Sequence, residues 1–464
     1  MLKYDVVVVG GGPAGYVAAL RSAQLGFNTA CIEREPQLGG TCLRVGCIPS
    51  KALLESSLCY HLAQHEWAHH GVRVNEVVLD LPTMMKRKEQ VVNTLARGIS
   101  GLFRKHRVQQ LTGTARLLPQ QRILIQQGES TQEVQARHVI IATGSRPAWI
   151  PTIPRDLPQV GTSTEALSYP QVPRHLVVIG AGYIGLELGC VWSRLGAKVT
   201  VLEALSRILP GTDAELAQEA QQVFQKQGLE FRLGVKVVGV RPIAHSASEV
   251  VVETEGCESV TCDRVLVAVG RVPNTEGLSA DEVGLQRDDR GRIVVDAQFR
   301  TNLPGVYAIG DVIAGPMLAH KAEEEGVACV EGIAGHPVHV NYQAIPAVCY
   351  TEPEIASVGP TEEQLQQQGV PYRKGVFPFA ANGRARSLGH IEGRVKVLAH
   401  RDTDRLLGVH ILGPRAGDLI AEAVAALEFG ASAEDLGLVC HAHPTLSEAL
   451  KEAAWAVSGR AIHI

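Results

Sequence analysis

Runs of β-branched apolar residues, each followed by a glycine-rich turn and a helical segment, recur along this chain. Two of these runs are copies of one pattern, DVVVVGGGPAGYVAALRSAQLGFNTACIERE near the start and HLVVIGAGYIGLELGCVWSRLGAKVTVLEA farther on. In each copy, an apolar run typical of a buried strand leads into GxGxxG, a helix and a second strand. The pattern therefore predicts an α/β fold with two similar nucleotide-binding units.

The spacing within the two copies predicts two dinucleotide sites. The glycines and the acids that end the second strands are Gly10, Gly12, Gly15 and Glu33 in the first copy, and Gly180, Gly182, Gly185 and Glu203 in the second. Such glycines let the backbone approach a pyrophosphate at the helix N-terminus, and the acid accepts hydrogen bonds from ribose hydroxyls. Because a carboxylate repels a 2′-phosphate, Glu203 favours NAD over NADP; an exposed acid without this role is the alternative.

Small residues also end two later strands. They are Thr143 and Gly144 in HVIIATGSRP and Gly270 in RVLVAVGRVPN, where a ligand can approach the backbone. Asp311, in GVYAIGDV, is either a turn residue or an acid that binds a ribose or ribityl hydroxyl. Because this segment follows the second copy but looks like part of the first site, we expect the second unit to be inserted in the first.

Composition narrows the classes of function. The chain has 464 residues, a net charge of -4, 45% apolar residues and ten cysteines. No Lys/Arg run and no apolar run of ~18 residues occurs, so we expect no nucleic-acid partner and no membrane association. The first apolar run is too short for a signal peptide. Sparse cysteines argue against a disulfide scaffold and favour a reducing cytoplasm, where a close pair is redox-active or metal-binding.

Cys42 and Cys47, in GGTCLRVGCIPSKALL, are such a pair. On a regular helix, residues five apart point about 140° away from each other, so a disulfide here needs an irregular turn. The glycines available to form it are Gly39, Gly40 and Gly46. Because Pro49 discourages regular helix before it, a helix is expected from Ser50 onward. A thiolate near the N-terminus of that helix is stabilised by the dipole. Cys257 and Cys262 have the same spacing but lie in an alternating segment, which indicates a hairpin pair without function.

A histidine-rich segment, CYHLAQHEWAHHG, raises the question of a metal site. His61, His65 and His69 recur every four residues and would share one helical face. No acid or thiol is placed to complete a closed shell, so the segment is interpreted as a solvated face and no metal is expected.

Taken together, these segments resemble the flavin-dependent pyridine nucleotide–disulfide oxidoreductases over nearly the whole chain. The motifs that carry the resemblance are GGGPAG, GGTCLRVGCIPSKALL, ATGSRP, VVIGAGYIGLELG, AVGRVPN, AIGDV, MLAHKAEEEG, AVCYTEPEIASVG and HAHPTLSEAL. The resemblance implies tight, non-covalent FAD in the first site and NAD+/NADH in the second. It also implies two Rossmann-like domains, the second inserted in the first, and a C-terminal α+β dimerisation domain. The expected ranges are 1–146 for the FAD-binding domain with the redox disulfide, 147–271 for the NAD-binding domain, 272–342 for a central domain completing the FAD site, and 343–464 for dimerisation.

The resemblance further implies the reaction and its residues. Protein-bound dihydrolipoamide would be oxidised to lipoamide through a Cys42–Cys47 disulfide and FAD, with hydride transfer to NAD+ giving NADH. Cys42 would exchange with the substrate, Cys47 would contact the flavin, His443 would be the base and Glu448 would orient it. By sequence alone, a histidine before proline is more often a loop residue, and His441 is a near neighbour. In the family the histidine acts from the other subunit, which implies a homodimer.

Partners and cofactor contacts follow from the same motifs. The expected partner is the lipoyl domain of a 2-oxo acid dehydrogenase or glycine cleavage complex, with a role in cell redox homeostasis. Besides the residues already named, the expected FAD contacts are Gly40, Thr41, Lys51, Ala115, Met317, Leu318, Ala319 and His320, and the expected NAD contacts are Tyr183, Ile184, Glu187, Val237 and Gly270. A buried Glu187 would pair with Lys51, the alternative being a side chain that reaches solvent. Arg44 stands where the family usually has Asn.

Related classes fit the sequence less well. Glutathione-type reductases usually carry basic residues in place of Glu203, and mercuric reductases need a further cysteine pair beyond Cys440, the last cysteine here. Soluble transhydrogenases lack the redox pair. A nucleotide-sensing or scaffolding subunit with lapsed chemistry would not need intact cysteines and an intact His443 with Glu448.

Overall fold

The computed structural model describes residues 1–244 and 246–464 of the chain. These residues form two compact units. The first comprises Met1–Leu53, Asp80–Ala148 and Gly270–Val340, and the second comprises Leu54–Leu79, Trp149–Val269 and Asn341–Ile464. The four domain ranges expected from the sequence stay predictions. In the described part of the chain, no helix is long and apolar enough to cross a membrane.

The described residues include twenty-two strands and thirteen α-helices. The strands are β1 (Leu2–Val9), β2 (Thr29–Glu33), β3 (Gln109–Thr112), β4 (Thr114–Leu118), β5 (Arg122–Gln127), β6 (Ser130–Ile141), β7 (Ser145–Pro147), β8 (Val160–Gly161), β9 (His175–Ile179), β10 (Lys198–Glu203), β11 (Leu229–Leu233), β12 (Val237–Ile243), β13 (Ser246–Thr254), β14 (Val260–Cys262), β15 (Arg264–Val267), β16 (Arg271–Pro273), β17 (Val306–Ala308), β18 (Ala347–Cys349), β19 (Glu354–Val358), β20 (Tyr372–Pro378), β21 (Arg394–His400) and β22 (Leu406–Gly413). The helices are α1 (Pro13–Gln24), α2 (Gly40–Val45), α3 (Cys47–His65), α4 (Leu81–His106), α5 (Ser163–Ala166), α6 (Tyr183–Arg194), α7 (Ala214–Lys226), α8 (Ala319–Ile333), α9 (Glu362–Gln368), α10 (Gly383–Leu388), α11 (Ala416–Glu428), α12 (Ala433–Leu438) and α13 (Glu448–Ala456).

A seven-stranded sheet forms the centre of the first unit. Its order is β3-β2-β1-β6-β5-β4, and β17 also pairs with β6. β1, β2, β3, β6 and β17 are joined by parallel pairings, with Val9 and Ala308 both opposite Ile141. The valines of β1 are buried on both faces, as is typical of a parallel sheet covered on both sides. Because the carboxyl ends of these strands share one edge, the segments that follow Val9, Ile141 and Ala308 meet there.

The second unit contains a parallel sheet of the same kind, β11-β10-β9-β15-β8. Ile179 of β9 is opposite Leu202 of β10 and Val267 of β15, so the loops that follow these strands also share one edge. The sequence repeat is therefore a structural repeat. An antiparallel sheet, β18-β19-β22-β21-β20, with α11 and α13 packed on it, forms the C-terminal α+β part. This architecture confirms the predicted fold class.

Candidate active site

The first glycine-rich loop joins β1 to α1, and each glycine in it has a different structural reason. Gly10 has φ +109°, and a Cβ there would lie 2.3 Å from the Ala142 carbonyl oxygen. A Cβ at Gly15 would lie 1.8 Å from the Gly10 oxygen, so only glycine lets the helix pack this closely. A Cβ at Gly12 would meet only the Gly40 Cα, at 3.7 Å. Packing thus requires the first and third glycines, while the second faces space suited to a ligand.

The second loop, between β9 and α6, repeats this division. Gly180 has φ +105°, and its Cβ would lie 2.5 Å from the Ala268 oxygen. A Cβ at Gly185 would lie 2.1 Å from the Gly180 oxygen, whereas one at Gly182 would meet no atom within 4 Å. Each loop therefore has a cradle that a side chain would fill, at the N-terminus of a helix of 12 residues. Free amides at such a helix end suit the pyrophosphate of FAD or NAD.

The acids that end β2 and β10 are tied to these loops. Glu33 accepts the Gly11 amide at 2.7 Å and the Glu35 amide at 3.0 Å. Glu203 accepts the Ala181 amide at 2.7 Å and the Leu205 amide at 2.9 Å. Each carboxylate oxygen keeps a further lone pair, which could accept a ribose hydroxyl. Binding of ribose by these two acids stays a prediction. Their bracing of the glycine loops is a role that the sequence reasoning missed.

The remaining expected contacts are divided between the two units. The expected FAD residues all lie in the first unit: Gly40 and Thr41 begin α2, Lys51 is in α3, Ala115 is in β4, Thr143 and Gly144 follow β6, Asp311 follows β17, Met317 and Leu318 precede α8, and Ala319 and His320 begin it. Of the expected NAD residues, Tyr183, Ile184, Glu187, Glu203 and Val237 lie in the second unit, and Gly270 lies in the first. Glu187 is 4% exposed and accepts the Tyr350 amide at 3.0 Å. It is therefore buried as expected, and its pairing with Lys51 stays a prediction.

The predicted cysteine pair lies across a break between two helices. Cys42 is in α2, which ends at Val45, and Cys47 begins α3 after the irregular Gly46. A side-chain hydrogen bond joins the two cysteines, which are both partly buried. The expected irregular turn is confirmed. The expected start of the helix at Ser50 is wrong: α3 begins at Cys47, because a proline in the first turn removes only an amide that has no helical partner.

Several neighbouring groups shift the pKa of the Cys42 thiol. The hydrogen bond with Cys47 raises the pKa of the Cys42 thiol, and burial raises it further. The Lys51 cation lowers this pKa, while the Glu323 carboxylate raises it. The raised pKa favours the protonated form of Cys42 in the reduced pair. Attack on a disulfide needs a thiolate, so exchange at Cys42 calls for a base.

Arg271 is a residue near the pair that sequence reasoning missed. Its guanidinium donates to the Ser145 hydroxyl at 2.7 Å and to the Ser145 carbonyl at 2.8 Å. The Ser145 hydroxyl in turn donates to Asp311 at 2.5 Å. Burial lowers the pKa of Arg271, whereas the electrostatic influences of Asp311, Cys47 and Cys42 oppose that shift. The sequence did contain one signal for Arg271: it directly follows Gly270, a small residue at a strand end where a ligand was expected to approach.

His443 and Glu448, the predicted base and its orienting acid, are in hydrogen-bond contact. The His443 Nδ1 is 2.8 Å from the Glu448 Oε1, and the other carboxylate oxygen accepts the Thr445 amide at 2.8 Å. Desolvation raises the pKa of Glu448, but these two hydrogen bonds outweigh it, so the pKa is lowered and the carboxylate stays ionised. The His443 side chain is 78% exposed. Its Nε2 is thus presented to solvent, as a base requires.

His441 differs from His443 in its ring contacts. Its Nε2 is 2.7 Å from Glu422 and its Nδ1 is 2.9 Å from the Val439 carbonyl. The hydrogen bond to Glu422 raises the pKa of His441 despite desolvation. With both nitrogens engaged by acceptors, this ring has no position left for a substrate proton. His443 and Glu448 belong to the second unit and the cysteine pair to the first.

Comparisons with known proteins identify the fold and its chemistry. The pyridine nucleotide-disulphide oxidoreductase family matches residues 4–326, and its dimerisation domain matches residues 345–454. Mitochondrial dihydrolipoyl dehydrogenase of Pisum sativum is 53% identical over 464 residues, covering 99% of this chain and 92% of that protein. Leghemoglobin reductase of Glycine max is 52% identical over 456 residues, covering 97% and 87%. LpdA of Mycobacterium tuberculosis has a TM-score of 0.90 at 27% identity, covering 98% of this chain and 99% of that structure.

The comparisons correct the expected location. Similar dihydrolipoyl dehydrogenases of Pisum sativum and Bos taurus are mitochondrial proteins. The expectation of a cytoplasmic location is therefore wrong. It rested on the low number of cysteines, which reports a reducing environment and does not distinguish one reducing compartment from another.

The matched regions agree with the site described above. Both glycine loops and the cysteine pair fall within the oxidoreductase match, and His443 with Glu448 falls within the dimerisation match, which supports a homodimer. The family and these relatives establish an oxidoreductase that uses FAD and NAD(H). This chain belongs to the pyridine nucleotide-disulphide oxidoreductase family.

Proposed function

We propose that this chain oxidises protein-bound dihydrolipoamide to lipoamide and reduces NAD+ to NADH, the activity of a dihydrolipoyl dehydrogenase. The observation that carries the proposal is the hydrogen-bonded pair of Cys42 and Cys47, which lies across the break between α2 and α3. A disulfide with one exchange sulfur and one thiolate-forming sulfur matches a dithiol substrate. The high identity to dihydrolipoyl dehydrogenases supports the choice of substrate.

The cysteine pair performs the thiol–disulfide exchange. One substrate thiolate attacks the Cys42 sulfur, the Cys42–Cys47 bond breaks, and Cys47 leaves as a thiolate. The second substrate thiolate then attacks the substrate sulfur of the mixed disulfide and releases Cys42, which takes up a proton. Two electrons pass from the substrate to the pair, and the substrate leaves as a cyclic disulfide.

His443 is the base that produces the attacking thiolates. Its exposed Nε2 accepts a thiol proton, and Glu448 on Nδ1 holds the ring in the matching tautomer and stabilises the resulting imidazolium. We assign the base of each subunit to the cysteine pair of the other subunit, as the family implies. The dimer would then be the smallest active unit.

The two glycine loops hold the cofactors. FAD held at the first loop would supply a two-electron carrier between the cysteine pair and the NAD+ held at the second. Gly12 and Gly182 leave room for the pyrophosphates, and Glu33 and Glu203 accept the adenosine ribose hydroxyls. Thr143, Gly144 and the other first-unit residues named above complete the FAD site, and α6 begins the NAD site.

The partner in this proposal is a lipoyl domain of a 2-oxo acid dehydrogenase or glycine cleavage complex. A second candidate function is reduction of a haem protein, because two relatives about as similar are leghemoglobin reductases. Haem-iron reduction does not require thiol exchange, so the cysteine pair separates the two functions.

A substrate panel tests the proposal with the purified holoenzyme. Dihydrolipoamide with NAD+ should give the fastest turnover, NADP+ should replace NAD+ poorly, and glutathione disulfide should be a poor oxidant of NADH. Fast reduction of a ferric haem protein, without turnover of dihydrolipoamide, would favour the second candidate. Equal use of NADP+ would contradict the role of Glu203.

A further inference from the structure

Arg44 lies between the two redox cysteines, in α2. Its guanidinium contacts Glu35, in the loop that follows β2. Its Nη1 is 3.2 Å from the Glu35 Oε2. The Arg44 side chain is 21% exposed and the Glu35 side chain 38% exposed. The Arg44 Nε is buried and has no hydrogen-bond partner among the described residues. The cation therefore faces the loop that follows β2.

That loop is connected to the first glycine loop by further hydrogen bonds. The Glu35 amide donates to Glu33, and the Gly11 amide donates to the other oxygen of the same carboxylate. The Gly39 amide donates to the Gly11 carbonyl at 2.8 Å. A continuous set of contacts thus runs from Arg44, through Glu35 and Glu33, to the turn that receives the FAD pyrophosphate.

Arg44 is not among the largest electrostatic influences on the exchange thiol. Within the described residues, the charged groups with the largest effects on the Cys42 pKa are Cys47, Lys51 and Glu323. A cation so near in sequence would be expected to stabilise the thiolate. Here its charge is neutralised by Glu35 instead, which separates it from the redox pair.

We propose that Arg44 is a positioning residue for FAD: it fastens α2 to the loop after Glu33 and so slows release of the flavin. An Asn, which the family usually has at this position, is too short to make the same contact. The contacts from Glu35 through Glu33 to the Gly11 amide support the proposal, because they connect the Arg44 side chain to the glycine loop. The inference depends on FAD in the first site and not on the identity of the thiol substrate.

The test compares flavin release from holoenzyme variants, followed by the rise in fluorescence of free FAD after dilution. Arg44→Met should release FAD roughly tenfold faster, with a smaller effect for Arg44→Lys, since a charge-assisted contact is lost. Glu35→Gln should act in the same direction. Arg34→Met is the matched control: Arg34 also reaches Glu35, at 3.7 Å, but is 66% exposed, so release should change less than about twofold.

A second measurement excludes a role in tuning the cysteines. The equilibrium between the cysteine pair and mixtures of lipoamide and dihydrolipoamide should be the same in wild type and Arg44→Met. Unchanged flavin release in Arg44→Met, Arg44→Lys and Glu35→Gln would overturn the proposal. So would a shifted thiol equilibrium in Arg44→Met. If Arg44→Met does not fold, Arg44→Lys and Glu35→Gln decide the question in the same assay.

Discussion

A buried ion cluster around Lys396 gives a prediction about stability. The ammonium group is fully buried and lies 2.9 Å from Asp213 and 3.0 Å from Glu215, and it also contacts Glu362. Lys396→Met leaves the fully buried Asp213 without its cation. Removing one partner of a buried ion pair costs about 3–5 kcal/mol. At about 2–4 °C per kcal/mol for a domain of this size, the unfolding temperature should fall by roughly 6–20 °C.

Lys374→Met is the matched control, because Lys374 contacts the same Glu215 and Glu362 but is 41% exposed. Its loss should cost less than about 1 kcal/mol. Scanning fluorimetry at one heating rate and pH 7 compares both variants with wild type. The double variant Asp213→Asn with Lys396→Met should recover most of the loss, because the unpaired charge is gone. Equal, small effects of the two lysine variants would refute the reasoning.

The pH dependence of the same cluster has a defined sign. Desolvation raises the pKa of Glu362, but hydrogen bonds from Lys396, Tyr372 and Lys374 outweigh it and lower the pKa to about 2, from an ordinary value of 4.5. A depressed folded-state pKa contributes stability above pH 4.5 that is lost as the pH falls towards 2. Lys396→Met removes the largest of these bonds. The stability difference between wild type and variant should therefore narrow below pH 4.5, and a constant difference would contradict this assignment.

The remaining predictions concern the site itself. Glu448→Gln should lower turnover by about 10²–10⁴-fold, because His443 loses the carboxylate that orients it; His441→Gln, as the comparison, should retain far more turnover, and equal losses would contradict the assignment of the base. Gly182→Ala should raise the KM for NAD+ without changing the unfolding temperature, since its Cβ meets no atom within 4 Å. Gly185→Ala should lower the unfolding temperature, because its Cβ would lie 2.1 Å from a backbone oxygen; calorimetry that ranks these two glycine variants in the opposite order would refute the division of roles.

Features encoded by local spacing were predictable from the sequence. The first glycine of each GxGxxG motif needs positive φ, and the third lets the helix pack against the turn before it. Both requirements fall within six residues, so the motif identified both nucleotide loops from the sequence. The irregular turn between Cys42 and Cys47 was predictable for the same reason, and the structure shows why glycine is needed there: a Cβ at Gly46 would lie 2.8 Å from the Thr41 carbonyl oxygen. The start of α3 was misjudged because Pro49 was given too much weight as a helix breaker.

Features that depend on distant segments were not predictable. Lys396 and Asp213 are 183 residues apart, and neither has a local pattern that marks a buried ion pair. Arg271 acts near the cysteines only because β16 pairs with β7, which brings its guanidinium to Ser145. The direction of Arg44 likewise depends on Glu35 in another element. Such contacts arise from the tertiary fold, which a single sequence does not display.

The central claim is that the Cys42–Cys47 pair carries electrons from dihydrolipoamide to NAD+. The most direct measurement is NADH formation by the purified holoenzyme and by Cys47→Ser, with Cys257→Ser, an exposed cysteine of the same spacing motif, as the control. We expect rapid NADH formation by the wild type and by Cys257→Ser, and its loss in Cys47→Ser. Undiminished NADH formation by Cys47→Ser would contradict the claim.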